Sequence, residues 1–328
     1  MIKPGITLLG LLTFTLCFTF GQKSNIVPSE NFPQAKSNLD LVKNLELPQE
    51  PVLSYTQDVV YVKRGDLDLH IQLVAPRRDA LSSEEQKGFP CIIYIQGSAW
   101  KKQNVYVGIP QLAKFASRGF VIASVEYRHS ELAPFPAQVQ DTKTAIRFMR
   151  KNAEKFHIDP DNMFVWGGSS GGHTAVMVGI TSGKKELDTE DYREYSDEVN
   201  AIVDFFGPTD IVKMNFAPSI MNHSAPNSPE GLLIGGLEVL DNREKAQTTN
   251  PINYISEEKS IPPILVAHGD MDRIVPFDQS ELLAVKLKET GKEFEYYSLT
   301  GAGHGTPEFW SNEMLDIVEG FLKKYMKE

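Results

Sequence analysis

Cysteine is nearly absent from the 328 residues: Cys17 lies in an N-terminal apolar stretch and Cys91 opens an apolar run that reads as core. No disulfide framework can hold the chain together, so a hydrophobic core has to. There is no G-x-x-x-x-G-K-[ST] string and no clustering of His and Cys at ligand spacing. Neither a nucleotide phosphate loop nor a metal centre is expected, and no cofactor is implied. Cations are in deficit, 33 Lys and Arg against 43 Asp and Glu, which argues against a polyanionic partner such as nucleic acid. The N-terminal apolar run, Ile6 to Phe20, falls short of the ~20 residues of a membrane span. With Lys3 before it, and Thr19 and Gly21 suited to a signal-peptidase site, residues 1–21 read as a secretory signal. A secreted or periplasmic location without stable membrane insertion is the expectation. Leu16 is bulky where a lipoprotein signal before Cys17 would need a small residue.

A chain of 328 residues with 41% hydrophobic content is long enough for one large α/β domain and too short for two once residues 1–21 are set aside. Residues 22–52 are polar, carry Pro28, Pro33, Pro48 and Pro51, and read as a linker or extension. Residues 53–328 form the expected domain. Val59 to Lys63 and Leu67 to Val74 flank Arg64-Gly65-Asp66, a hairpin signal. Beyond a polar loop, Cys91 to Ile95 is a continuous apolar run of the kind a buried parallel strand shows. Helical stretches at 109–118, 137–155, 279–290 and 309–325 then alternate with strands at 121–125, 163–166, 201–206, 264–267 and 294–299. This alternation predicts a doubly wound, mostly parallel sheet. Ligands in such sheets bind beyond the carboxyl ends of the strands, in the loops after residues 95, 125, 166, 206, 267 and 299. The Pro-, Asn- and Gly-rich stretch 208–250 is too long for a plain connection and is expected to form a small irregular cap over part of the pocket.

One of those loops is distinctive. Gly167-Gly168-Ser169-Ser170-Gly171-Gly172 stands between a strand and a helix-compatible run, the context that gives G-x-S-x-G a chemical reading. A Ser in that tight turn is lifted clear of the sheet, and a side chain two residues before or after it would collide. Two registers fit. Ser169 is preferred because it follows the apolar run more closely, with Ser170 supplying a backbone N–H.

A Ser hydroxyl needs a positioned base, and the base needs an orienting acid. Among seven His residues, His304 lies in a Gly-rich loop, Gly301-Ala302-Gly303-His304-Gly305, directly after the last strand. His129 and His268, near strand ends, stay open as alternatives; His173, in the first turn of the elbow helix, reads as a packing or hydrogen-bonding residue. Asp272, in the loop leaving the strand at 264–267, is the preferred acid, with Asp270 and Asp210 as competitors. Ser169, Asp272 and His304 follow the chain order of α/β-hydrolases. For oxyanion donors, Ser170 N–H and an N–H from Gln96-Gly97-Ser98-Ala99-Trp100 are expected, Ser98 being favoured and its neighbours Gly97 and Ala99 left open.

Taken together, Gly-Ser-Ser-Gly-Gly-His, Glu126-Tyr127-Arg128, Ala133-Pro134-Phe135-Pro136-Ala137, Ile158-Asp159-Pro160, Gly207-Pro208-Thr209-Asp210, His268-Gly269-Asp270-Met271-Asp272 with Val275-Pro276, and Gly303-His304-Gly305 resemble the α/β-hydrolase esterases related to hormone-sensitive lipase. The closer likeness is to the bacteroidal feruloyl-esterase-like branch, from about residue 58 onward. It implies Ser169 as nucleophile, Asp272 as acid and His304 as base, acting on acetyl or feruloyl esters of carbohydrates. The family's oxyanion loop, His-Gly-Gly-x-Trp, departs here: Gln96 replaces the His and Ser98 the second Gly. Trp100 and Phe135 are the aromatics expected to stack on a sugar face or an aromatic acyl group. An amidase or peptidase using the same residues, and a catalytically silent binding module, are the competing readings.

Overall fold

The computed structural model describes residues 31–35, 42–43, 45, 51–77 and 88–328. The expected signal at 1–21 lies outside the described residues, as does most of the expected linker at 22–52. The residues from Glu50 to Glu328 form one compact unit.

That unit is built on an eight-stranded sheet. Its strands are β1 (Leu53–Arg64), β2 (Leu67–Pro76), β3 (Phe89–Ile95), β4 (Val121–Val125), β5 (Ile158–Gly168), β6 (Ala201–Phe205), β7 (Ile264–Gly269) and β8 (Phe294–Leu299), in the spatial order β1-β2-β4-β3-β5-β6-β7-β8. From β4 to β8 all pairings are parallel, while β2 runs antiparallel to both β1 and β4. The hairpin turns through Gly65, whose φ of +62° lies in the left-handed region that glycine enters without strain.

Helices α1 (Ile109–Ala116), α2 (Ala137–Lys151), α3 (Ala153–Phe156), α4 (Ser170–Ile180), α5 (Pro229–Leu233), α6 (Arg243–Gln247), α7 (Asp278–Glu289) and α8 (Asn312–Lys324) connect the strands. Residues of β3 divide by period two: Cys91, Ile93 and Ile95 pack with α2, α4 and α7 on one face. Ile92 and Tyr94 pack with α1 and α8 on the other. Covering both faces explains why these strands read as unbroken apolar runs. Each fully buried Ile contributes roughly 1.5–3 kcal/mol.

Several boundaries differ from the sequence reading, among them β5, which starts at Ile158 rather than Met163. The helix expected over 137–155 is interrupted at Asn152, whose φ of −101° and ψ of 25° are not helical. The last helix starts at Asn312 because Ser311 caps it, accepting the Met314 N–H at 3.1 Å; the residues before it, Pro307–Trp310, form a separate 3-10 turn. The elbow helix begins at Ser170 itself, so His173 lies in its first turn as expected.

A third apolar cluster stands above the carboxyl ends of the strands. Ile211, Met214, Leu233, Ile234 and Val239 from the irregular region pack there against Trp100 and Val275. The cap is thereby seated on the loop after β3 and the loop after β7.

Candidate active site

The turn between β5 and α4 is dictated by glycine. A Cβ on Gly167 would lie 2.1 Å from the Gly171 carbonyl oxygen, and one on Gly171 would lie 2.0 Å from that of Ile95. Strand, helix and the end of β3 thus converge at distances only hydrogen side chains allow. Ser169 occupies the corner with φ 56° and ψ −130°, a strained conformation costing on the order of 1–3 kcal/mol. Its N–H is tied to the Phe205 carbonyl at 2.8 Å and its carbonyl starts the helix by accepting the His173 N–H at 3.1 Å. Ser169 is half-buried whereas Ser170 is buried, so the register preferred from sequence is the one that presents its hydroxyl.

His304 approaches from the loop after β8. Its Nε2 lies 2.9 Å from Ser169 Oγ and its Nδ1 2.7 Å from Asp272 Oδ2. The Phe206 ring stands edge-on to the imidazole, centroids 4.8 Å apart, and fills the space between His304 and Gly168. Asp272 has a fully buried side chain. Burial alone would raise its pKa, but hydrogen bonds from His268 and His304 and from the Ile274 N–H win, holding the carboxyl well below the usual carboxylate range. It is an ionised acceptor for imidazole N–H groups.

The alternatives fall into other roles. Asp270 is exposed and accepts the Gly301 N–H at 2.7 Å, shaping the loop that carries His304. Asp210 accepts the N–H groups of Val212 and Lys213 at 3.1 and 3.2 Å, a turn cap. His268 is fully buried and places Nε2 3.2 Å from Asp272 Oδ2, so it is a second imidazole on the acid rather than a rival base. His129 faces Glu131 at 3.3 Å.

Two expectations about the oxyanion loop need correcting. The Ser98 N–H, favoured as an oxyanion donor, is directed onto Ser170 Oγ at 2.9 Å. Trp100, expected to stack on substrate, is 1% exposed; its indole N–H donates to His173 Nδ1 at 3.2 Å. Trp100 lies in the left-handed region, φ 52°, directly after Ala99 at φ 57°. That backbone turns the indole inward under the cap instead of outward to the cleft. Phe135 stays half-buried, packed between the sheet-face core and the cap cluster. Gly97 is exposed and lies against the elbow, since a Cβ there would meet the Gly168 carbonyl oxygen at 2.5 Å.

A second Ser–His–carboxylate arrangement went unnoticed in the sequence. Ser219 Oγ lies 2.8 Å from His223 Nε2, and His223 Nδ1 lies 3.0 Å from Glu230 Oε1. Its hydroxyl, however, is bonded to the Ile274 carbonyl at 3.0 Å and accepts the Met221 N–H at 3.1 Å. With two carbonyls, of Arg273 and Ile274, beside it, this serine braces the cap against the acid loop. A cavity of about 610 Å³, lined by Arg150, Pro160, Asn200, Lys259 and Pro262, lies at the amino ends of the strands, across the sheet from Ser169. Among the described residues no group of three or more His, Cys, Asp or Glu could hold a metal ion, and no helix is long and apolar enough to cross a membrane.

The chain is similar to a truncated carbohydrate esterase from gut microbiota, at 29% identity and a TM-score of 0.73 over 84% of this chain and 96% of that one. It is similar also to a bifunctional GH43-CE protein of Bacteroides eggerthii, at 31% identity and a TM-score of 0.72 over 83% of this chain and 38% of that one. Esterase LipC of Mycobacterium tuberculosis is 28% identical over 228 residues, 67% of this chain, which spans only about half (53%) of LipC. Residues 80–287, more than half of the chain, match the BD-FAE profile; the chain has an α/β-hydrolase fold and belongs to the BD-FAE family.

Proposed function

We propose that the protein is a carboxylic ester hydrolase working through an acyl-enzyme on Ser169. The observation that carries this reading is the chain Ser169 Oγ–His304 Nε2 at 2.9 Å and His304 Nδ1–Asp272 Oδ2 at 2.7 Å. Asp272 holds the Nδ1–H tautomer, leaving Nε2 free to accept the Ser169 proton as Oγ bonds to the ester carbonyl carbon. The carbonyl electron pair moves to oxygen, which faces the N-terminus of α4, where Ser170 N–H and the positive end of the helix receive it. Ala99 N–H is the second donor in this reading, since Ser98 N–H is engaged. Collapse expels the alkoxide, which takes the proton from His304. Water then repeats the sequence on the acyl-enzyme, the proton passing again through His304.

Acetyl or feruloyl esters of carbohydrates are the substrate class in this proposal, supported by similarity to the gut-microbiota carbohydrate esterase. The apolar stretch at 1–21 supports a secreted or periplasmic location. The test is a panel of aryl acetate, octanoyl and decanoyl esters, feruloyl esters and acetylated xylan. Higher kcat/KM for acetyl than for octanoyl esters supports the reading. A steady rise up to ten carbons would point to a lipase-like enzyme instead.

A further inference from the structure

The oxyanion loop holds two consecutive non-glycine residues in the left-handed region, Ala99 at φ 57° and Trp100 at φ 52°. Such backbone persists only where the surroundings over-determine it. The surroundings are three hydroxyls from three separate elements. Ser98 Oγ lies 2.7 Å from the Lys101 carbonyl oxygen and 3.1 Å from Tyr127 Oη. Ser170 Oγ accepts the Ser98 N–H at 2.9 Å. Tyr127 and Ser170 are buried, and Ser98 is half-buried.

Counting donors fixes the direction of every bond. The Lys101 carbonyl can only accept, so the Ser98 hydroxyl proton goes there. The phenol then donates to Ser98 Oγ. Ser170 Oγ is left to accept the Ser98 N–H. Ser98 is thereby held by Tyr127 at its side chain and by Ser170 at its main chain. The Lys101 N–H returns to the Ser98 carbonyl at 3.0 Å. Gln103 holds Tyr127 in place, accepting its N–H at 3.0 Å while donating to the Val125 carbonyl at 3.2 Å and the Gln96 carbonyl at 3.3 Å.

We propose that Tyr127 and Ser170, through their hydroxyls, are positioning residues that clamp Ser98 and thereby aim the Ala99 N–H at the oxyanion. This rests on the ester-hydrolase reading above. The clamp depends on Ser98 and would be lost with the glycine that the resembled family carries at that place. It accounts for how this loop keeps its left-handed turn with Ala99 and Trp100 in it.

The test uses Tyr127→Phe, which keeps the ring, and Ser170→Ala, assayed on an aryl acetate together with affinity for a trifluoromethyl ketone that forms a tetrahedral adduct. One oxyanion donor is worth about 10²–10³ in rate, so a misaimed one is expected to lower kcat about tenfold. KM should stay within about twofold, with ketone affinity falling in step with kcat and the double variant no worse than either single one. Amide exchange at Ser98 should accelerate in both variants, and this reads the clamp whether or not any ester is turned over. Wild-type kcat in Tyr127→Phe, unchanged Ser98 exchange, or equal or higher kcat in Ser170→Ala would each overturn the proposal. The last result would mean that the Ser170 hydroxyl merely competes with the oxyanion for the Ser98 N–H. A wild type inert toward every ester but with a protected Ser98 amide would count against the esterase reading and leave the clamp standing.

Discussion

Trp100 donates its indole N–H to His173 Nδ1 at 3.2 Å, with the two rings perpendicular and their centroids 5.1 Å apart. An indole N–H can only donate, so His173 accepts at Nδ1 and carries its proton on Nε2, which bonds the Thr249 carbonyl at 2.8 Å. Oxyanion loop, elbow helix and cap meet in this one contact. Trp100→Ala is therefore expected to destabilise the fold by about 3–5 kcal/mol and to lower turnover of all esters alike. Thermal unfolding with parallel assays on aryl acetate and acetylated xylo-oligosaccharide checks this; a loss confined to the oligosaccharide would restore Trp100 as a sugar platform.

Asp272→Asn should cost about 10⁴ in kcat by removing the acceptor that orients His304. Asp270→Asn keeps an amide oxygen to accept the Gly301 N–H and should be far milder. His268→Gln belongs between them, since Asp272 keeps its shorter bond to His304. Steady-state kinetics on folded variants, ranked in any other order, would reassign the acid.

The second Ser–His–carboxylate group gives a control. A fluorophosphonate probe is expected to label Ser169 and leave Ser219 bare, because the Ser219 hydroxyl is engaged by the Ile274 carbonyl and the Met221 N–H. Peptide mapping by mass spectrometry reads this directly, and Ser219→Ala should keep near-wild-type labelling.

Asp204, on β6 beneath the elbow, titrates in the opposite sense to Asp272. Burial raises its pKa to about 7, with the Gly207 N–H opposing. The folded state then binds its proton more tightly than the unfolded state, so stability falls as pH rises from the ordinary Asp value toward 7. Asp204→Asn should stabilise the protein at pH 8 by up to about 4 kcal/mol and change little at pH 4. His173, lowered to about 4 by burial against the opposing Thr249 carbonyl bond, runs the other way. It withdraws stability as pH falls from about 6.5 to 4. Denaturant titrations of both proteins at a series of pH values separate the two.

The order of strands and helices was readable because alternating apolar runs and helical periods are local signals, and Ser169 because glycines crowd wherever strand and helix converge. Asp272 and His304 followed from chain order and from loops beginning at strand ends. The partner of the Ser98 N–H was not readable, since Ser170 lies 72 residues away and a backbone donor carries no sequence signature. Trp100 was misjudged for a related reason: two left-handed residues turn it inward, and an Ala-Trp pair does not announce that conformation. The brace formed by Ser219, His223 and Glu230 sits in an irregular stretch without periodicity, where only folding brings the three together.

The most direct test of Ser169 as the acylated nucleophile is peptide mapping of enzyme quenched during turnover of an aryl ester. The account predicts an acyl mass on the peptide containing Ser169, accumulating when deacylation is slowed, and neither adduct nor turnover in Ser169→Ala. Turnover that persists in a folded Ser169→Ala variant, or an acyl group mapped to Ser170 or Ser219, would contradict it.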